Sequence, residues 1–322
     1  MKWDENLAGT GIPEGIKLEE IQCPLAPEAK DDTVMITRDY THGNPGNWRL
    51  VRNRKSGMVR TTPRPTLDTM GAFYSQEYPP FHKPERKQQR SKWKEALLSR
   101  FDPYWMPEYK PGNMFEIGCA TGTFMARMQE KGWKVEGLEP DAFAAEAARS
   151  QGFTVHNEQL ETVADPKEKY DLIVGWMVLE HLHQPLETLK KMHGWAKPGS
   201  KLVVAVPNFA SLDARIFGRY WYALHLPCHL FHYTPGTLSR LMQSAGWRVE
   251  KVHHQYTLAN WFGSLGVWLS ETGRSKKLGG WLRALPSRSN RLFSTLMIPV
   301  ALLFGWLGIT GRMTVIATRN DA

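Results

Sequence analysis

The chain is predicted to fold as an α/β protein around a mainly parallel sheet, and three observations carry that prediction. Residues 114–122, Met-Phe-Glu-Ile-Gly-Cys-Ala-Thr-Gly, run from apolar residues into an acid and a glycine turn, and Thr123 to Met128 then reads as the start of a helix. Lys134 to Asp141 repeats the pattern, a short strand ending in an acid. Tyr170-Asp171-Leu172-Ile173-Val174-Gly175-Trp176 has the apolar continuity of a buried strand, a helical segment opens at Pro185, and Lys197-Pro198-Gly199 leads into another apolar run through Asn208. Strands alternating with helices over 113–257 imply right-handed crossovers between parallel neighbours.

In chain order, residues 1–40 are rich in proline, glycine and charge with little periodicity, and are expected to be mostly irregular. Residues 47–60 suit a small β-hairpin turning at Lys55-Ser56-Gly57. These make up an N-terminal region, 1–82. The core, 83–257, opens with a basic amphipathic helix over Pro84–Phe101 that sets Trp93, Leu97 and Phe101 on one stripe and is expected to cap the site. Strands are expected near 113–117, 134–138, 153–156, 170–176, 200–206, 247–256 and 312–318.

An insertion, 258–311, separates the last two strands, and 312–322 holds the final strand and tail. The insertion starts with Trp261, Phe262, Leu265, Val267, Trp268 and Leu269, passes through Arg274, Lys276, Lys277, Arg283, Arg288 and Arg291, and ends in an uncharged run from Leu292 to Gly311. That run is long enough to span a bilayer. Yet Pro299 and Gly305 interrupt it, and Thr314 to Thr318 has to return to the sheet. An interfacial hairpin, apolar below and basic at its rim, is the first reading. Packing on the domain or on a dimer partner is the second, and a true span the third.

The 322 residues carry a net charge of +9, pI near 9.4, with 13 Trp. The charge points to an anionic partner or to solubility alone. Cys23, Cys119 and Cys228 are too scattered for a disulfide framework and suit a reducing compartment. The polar start, with Asp4 and Glu5, does not read as a secretory signal, so a cytoplasmic protein, peripheral at the membrane if the insertion binds there, is expected.

The first turn, Gly118-x-x-x-Gly122, is neither Gly-x-Gly-x-x-Gly nor a phosphate loop ending in Gly-Lys-Ser/Thr. Glu116 precedes it, and an acid there suits a ligand carrying positive charge better than a pyrophosphate. Glu139 lies about twenty residues beyond the first glycine, where an acid typically binds a ribose diol.

Together, Glu116-x-Gly118, Glu139, Leu179-Glu180-His181 and Lys197-Pro198-Gly199 resemble the class I S-adenosylmethionine-dependent methyltransferases, in the branch similar to the ubiquinone-biosynthesis methylases. The resemblance covers 40–257 and 313–318. It implies a Rossmann-like sheet of seven strands, mostly parallel, whose last strand runs antiparallel between the fifth and sixth. S-adenosyl-L-methionine is the implied cofactor. Relatives often carry a zinc ribbon at the hairpin; here Asn53 and Ser56 stand at the second cysteine pair and Cys23 alone at the first, so a degenerate, metal-free hairpin is expected.

The resemblance also implies roles. The turn Gly118, Cys119, Ala120 and Gly122, with Phe124 behind it, would meet the methionyl part; Glu116 would order the turn or bind the amino group. Glu139 and Pro140 would face the ribose, Gln159 and Leu160 the adenine, and Met177 would lie under the cofactor. Asp141 either joins them or caps the next helix. Glu180-His181 follows a parallel strand, where open α/β sheets bind ligands. His181 is read as a general base, as an anchor for its loop, or as a metal ligand, with Glu180 orienting it.

Residues 217–234 should form a lid over the acceptor, with Arg219 and Tyr220 lining the pocket and His229 and His232 bonding the lid or the acceptor. Relatives usually have Asp at His225 and Arg at Cys228. A zinc site at His225, Cys228, His229 and His232 is opposed by their dense spacing, and no metal is expected. The expected reaction is O- or C-methylation of a small-molecule, lipid-linked or sugar-linked acceptor. The rivals are an RNA methyltransferase, for which no binding module is seen, and a cofactor-binding protein without turnover. Nucleic acid is therefore not the expected partner.

Overall fold

A computed structural model describes residues 4–74, 101–285 and 297–320. The expected helix over Pro84–Phe101, apart from Phe101, lies outside the described residues, as do Arg288, Arg291 and residues 292–296. The described chain forms two compact units: one of residues 4–74, 207–238, 254–285 and 297–313, the other of 101–206, 239–253 and 314–320.

The first unit opens with β1 (Leu18–Glu19), β2 (Asp31–Thr37), β3 (Trp48–Asn53), β4 (Val59–Thr61) and β5 (Arg64–Pro65). The expected hairpin is present as β3 and β4, antiparallel, with Leu50 opposite Thr61 and Arg52 opposite Val59. Its turn closes where Gly57, at φ +70°, donates to Asn53 O at 2.8 Å. Within the otherwise largely irregular stretch before β3, β2 is a seven-residue strand pairing along β3 from Asp31–Asn53 to Thr37–Trp48. Its sequence shows no two-residue alternation because Met35, Ile36 and Thr37 are all buried and the register shifts between Thr33 and Met35.

The second unit carries β6 (Asn113–Ile117), α1 (Thr123–Gln129), β7 (Lys134–Leu138), α2 (Ala142–Arg149), β8 (Thr154–His156), β9 (Tyr170–Trp176), α3 (Pro185–Trp195) and β10 (Ala196–Pro207). The chain continues through α4 (Leu212–Phe217), β11 (Phe231–His232), α5 (Pro235–Ser244), β12 (Trp247–His254), α6 (Ala259–Glu271), α7 (Lys276–Ala284), α8 (Ile298–Trp306) and β13 (Arg312–Arg319). β11 joins the N-terminal sheet, ordered β11-β4-β3-β2.

The main sheet is ordered β12-β13-β10-β9-β6-β7-β8. β6 pairs in parallel with β7 and β9, and β9 with β10, while the last strand lies between the fifth and sixth and runs antiparallel, as expected. β10 starts at Ala196, four residues before the expected strand, with an irregular register between Ala196 and Lys201. Strand order reverses at β6: β7 lies on one side and β9 on the other. That makes the carboxyl ends of β6 and β9 the switch point at which open α/β sheets bind ligands. Met114, Phe124, Met128, Leu172, Val174 and Trp176 pack one side of the sheet into a core that holds β6 and α1 in place.

Among its described residues the insertion forms three helices, α6, α7 and α8. α6 and α7 cross at glycines: a Cβ on Gly266 would come 2.5 Å from Arg283 N and 2.7 Å from Gly279 O. α8 has nine residues, about 14 Å at 1.5 Å per residue, against about 30 Å of bilayer hydrocarbon. Among the described residues no helix is long and apolar enough to cross a membrane.

Candidate active site

The second unit brings the first two expected acids to neighbouring strand tips. β6 ends at Ile117, and Gly118 and Cys119 both donate backbone N–H bonds to Leu138 O, at 2.8 and 3.1 Å, so the turn is tied to the end of β7. Gly118 (φ +65°), Ala120 (φ +45°) and Gly122 (φ +80°) turn the chain through the left-handed region. Glycine is required at 118, because a Cβ would lie 2.5 Å from Val178 Cγ2. It is required at 122, where a Cβ would lie 2.9 Å from Phe153 Cδ2. Cys119 is buried beneath the turn, and burial pushes its thiol pKa up, which suits packing and not reactivity. Phe124 is buried on α1 with its ring 5.0 Å from Trp176 and 5.4 Å from Tyr104.

Glu116 is 3% exposed. Burial, and then the charge of Glu139, lift its pKa well above the ordinary carboxyl value. Its Oε2 is buried with no hydrogen-bond partner among the described residues. Glu139 is also buried, and desolvation raises its pKa although Ala120 N donates to Oε2 at 2.9 Å and Asp141 N to Oε1 at 3.0 Å. Asp141 itself caps α2, accepting from Ala144 N at 2.8 Å. Sequence reasoning missed Asn157, whose Nδ2 donates to the carbonyls of Glu139 and Pro140 at 2.9 Å each and straps this tip to the end of β8. It also missed Gly137, where a Cβ would meet Cys119 Sγ at 2.7 Å and Met125 Sδ at 2.9 Å. Gln159 is exposed and Leu160 buried in the loop after β8, where Gln159 O accepts from Thr162 N and Val163 N.

Met177 follows β9 at φ +60°, its N–H held by Ala205 O at 2.8 Å. A 3-10 turn over Leu179–His181 comes next, in which Glu180 is 1% exposed and His181 half-buried, with His181 N donating to Val178 O at 2.9 Å. The turn residues Gly118–Gly122, Glu139, Met177, Glu180 and His181 thus all sit at carboxyl ends of β6, β7 and β9.

Tyr220, His229 and His232 belong to the first unit. Tyr220 is half-buried with its ring 5.1 Å from Tyr40. His229 is buried, its Nδ1 2.9 Å from Ala223 O and its ring 4.9 Å from His225, which in turn lies 3.9 Å from His42. His232 is fully enclosed: its Nε2 is 3.2 Å from Thr61 Oγ1, and burial drives its pKa down to about 3. Cys228 is buried, with Sγ 3.5 Å from Phe73 O.

The site thus combines a sheet whose order reverses at β6, a glycine turn there and two buried acids at adjacent strand tips. A family model described as a methyltransferase domain matches residues 86–252, just over half of the chain, and the chain belongs to that family. The class is that of S-adenosylmethionine-dependent methyltransferases.

Among curated proteins it is 29% identical over 157 residues to a ubiquinone biosynthesis O-methyltransferase of Chelativorans sp. (strain BNC1), covering 45% of this chain and 62% of that protein. The match to the protein of the same name from Aeromonas salmonicida (strain A449) is 25% identical over 178 residues, covering 49% and 74%. The chain therefore spans less than two thirds of the first relative's length. Among solved structures it is similar to an S-adenosylmethionine dependent methyltransferase from Mesorhizobium loti, 16% identical, TM-score 0.46, covering 70% of this chain and 96% of that one.

Proposed function

We propose that this chain transfers a methyl group from S-adenosylmethionine to an oxygen of an apolar small-molecule acceptor. The observation that carries the reading is Glu116: a buried carboxylate oxygen without a partner, at the switch point of the sheet, is where a cationic group of a ligand would be stabilised. The curated relatives, named as O-methyltransferases, support oxygen as the acceptor atom. The apolar insertion supports an apolar acceptor, and on the same reading an anionic membrane surface is the partner of residues 258–311.

When bound, the cofactor supplies an electrophilic methyl group on a sulfonium. The chain's own residues do the rest. Glu116 would receive the ammonium end and the backbone of Gly118 to Gly122 the methionyl part, with Phe124 packed behind the turn. Glu139 keeps lone pairs for the ribose hydroxyls while its bonds from Ala120 and Asp141 hold it in place. Pro140, Gln159, Leu160 and Met177 would hold the nucleoside. His181 would take the acceptor's proton as the methyl group passes from sulfur to the acceptor oxygen and the neutral thioether leaves, and Glu180 would orient the imidazole. His232, with its pKa near 3, stays neutral and serves the lid through Thr61.

The test is methyl transfer from labelled cofactor to phenolic acceptors of rising apolarity. A methyl ether forming fastest on the more apolar acceptors is expected; cofactor binding without transfer to any oxygen would overturn the reading. His181→Ala should lower kcat by about a hundredfold or more and leave cofactor affinity nearly intact. Equal loss of both would make His181 an anchor.

A further inference from the structure

We propose that α8 is an interfacial wedge: its outer side inserts into the headgroup region of an anionic bilayer and holds the enzyme at the surface from which an apolar acceptor is drawn. This rests on the reading of the chain as a methyltransferase for an apolar acceptor, and adds how and where it meets the lipid.

α8 reads Ile298-Pro-Val-Ala-Leu-Leu-Phe-Gly-Trp306 and carries no charge. At 3.6 residues per turn, Leu302, Leu303, Trp306 and Leu307 fall on one side, and Ala301 and Gly305 on the other. The second side is the buried one: Ala301 is 5% exposed, and a Cβ on Gly305 would come 2.5 Å from Tyr256 Cε1. The first side faces out, with Leu302 40%, Leu303 51%, Leu307 51% and Trp306 81% exposed. Scattered exposed leucines need no explanation, but a helix turned so that its whole uncharged outer side is wet, with a tryptophan at its end, does. Tryptophan is the residue that favours the headgroup level, where its ring is apolar and its N–H is wet.

Charge complementarity selects the occupant. α7, in the same unit, exposes Leu278 (47%) and Trp281 (44%) beside the exposed Lys276 and Lys277. Neither lysine has a carboxylate partner among the described residues. With a net charge of +9, two copies of the chain repel one another, whereas an anionic leaflet attracts the chain. α8 is too short to cross, so the mode is insertion into one leaflet.

The experiment is co-sedimentation of the full chain with phosphatidylcholine vesicles, with and without phosphatidylglycerol, alongside cofactor titration of the same samples. Expected are binding to the anionic vesicles that weakens with salt, a roughly tenfold or greater loss for the double substitution Leu303→Ser, Trp306→Ser, and a similar loss for Lys276→Glu, Lys277→Glu. All the substituted residues are exposed, so cofactor affinity should stay unchanged and report an intact fold. Equal binding by the double variants, no binding by the unaltered chain, or a dimer that dissociates on Trp306→Ser would each overturn the wedge. Those outcomes leave cofactor binding untouched, whereas a chain that binds vesicles without binding cofactor would remove the enzymatic reading alone.

Discussion

Glu116 concentrates the chemistry of the site in one side chain. Its carboxyl is driven toward the protonated form by burial and by Glu139. A bound cation works the other way, so cofactor binding should release protons, and affinity should rise with pH above the ordinary value of 4.5. The sign for folding is opposite. A carboxyl whose folded pKa lies above its unfolded value contributes stability that is complete below 4.5 and lost as pH rises through the folded value. Glu116→Gln should therefore hold or raise the melting temperature of the cofactor-free protein while weakening cofactor binding about tenfold and flattening its pH dependence. Calorimetry in buffers of different ionisation enthalpy reads the proton release; a variant that keeps it would refute this role. Gly118→Ala is the steric counterpart. Its Cβ meets Val178 at φ +65°, so we expect at least a tenfold loss of affinity and a folding cost of about 1–2 kcal/mol, measurable by denaturant titration. These residues were legible because their signal is local: an acid, a turn and a helix within ten positions. Asn157 and Gly137 were not, since each is defined by what approaches it from elsewhere: the carbonyls of Glu139 and Pro140 for one, and two sulfur atoms for the other.

At the scale of elements, the N-terminal hairpin is held by a polar knot. Asn53 is 1% exposed, and its Nδ2 donates to Ala26 O and Ala29 O at 3.1 Å and to Asp31 Oδ1 at 3.3 Å. Its Oδ1 accepts from Lys55 N, Ser56 N and Ser56 Oγ, and Ser56 Oγ lies 3.1 Å from Cys23 Sγ. One amide thus satisfies the loop before β2 and the turn after β3. Asn53→Ala should destabilise the protein by about 2–3 kcal/mol in urea unfolding, because it leaves buried carbonyls and N–H groups without partners. Asn53→Asp should cost more, since a carboxylate would face two carbonyls and Asp31. A loss under about 0.5 kcal/mol for both would show that the knot contributes little. The hairpin could be read from its turn residues. β2 could not, because consecutive burial erased the alternation that marks a strand. What the sequence hid in the insertion is a contact: Gly266 and Gly279 look like breakers in sequence, and only their mutual approach shows that they are where α6 and α7 meet.

For the whole molecule, the order of the seven main strands followed from the alternation of strand and helix together with the family resemblance. The division into two units did not follow, because one unit is assembled from segments far apart in the chain. Asn208 Nδ2 donates to Thr310 O and Thr61 Oγ1 to His229 O, pairings across about a hundred residues or more that no local pattern announces. Residues 4–74, the segment 217–234, read from sequence as part of the core, and the described residues of the insertion thus fall in one unit. The account as a whole depends on the switch point of the sheet holding a cationic nucleoside. Isothermal titration of the folded protein with S-adenosylmethionine and with its demethylated product tests that most directly. Saturable binding of both, one per chain, with proton release on binding either ligand that Glu116→Gln abolishes, is the expected result; no saturable heat with either ligand would contradict it.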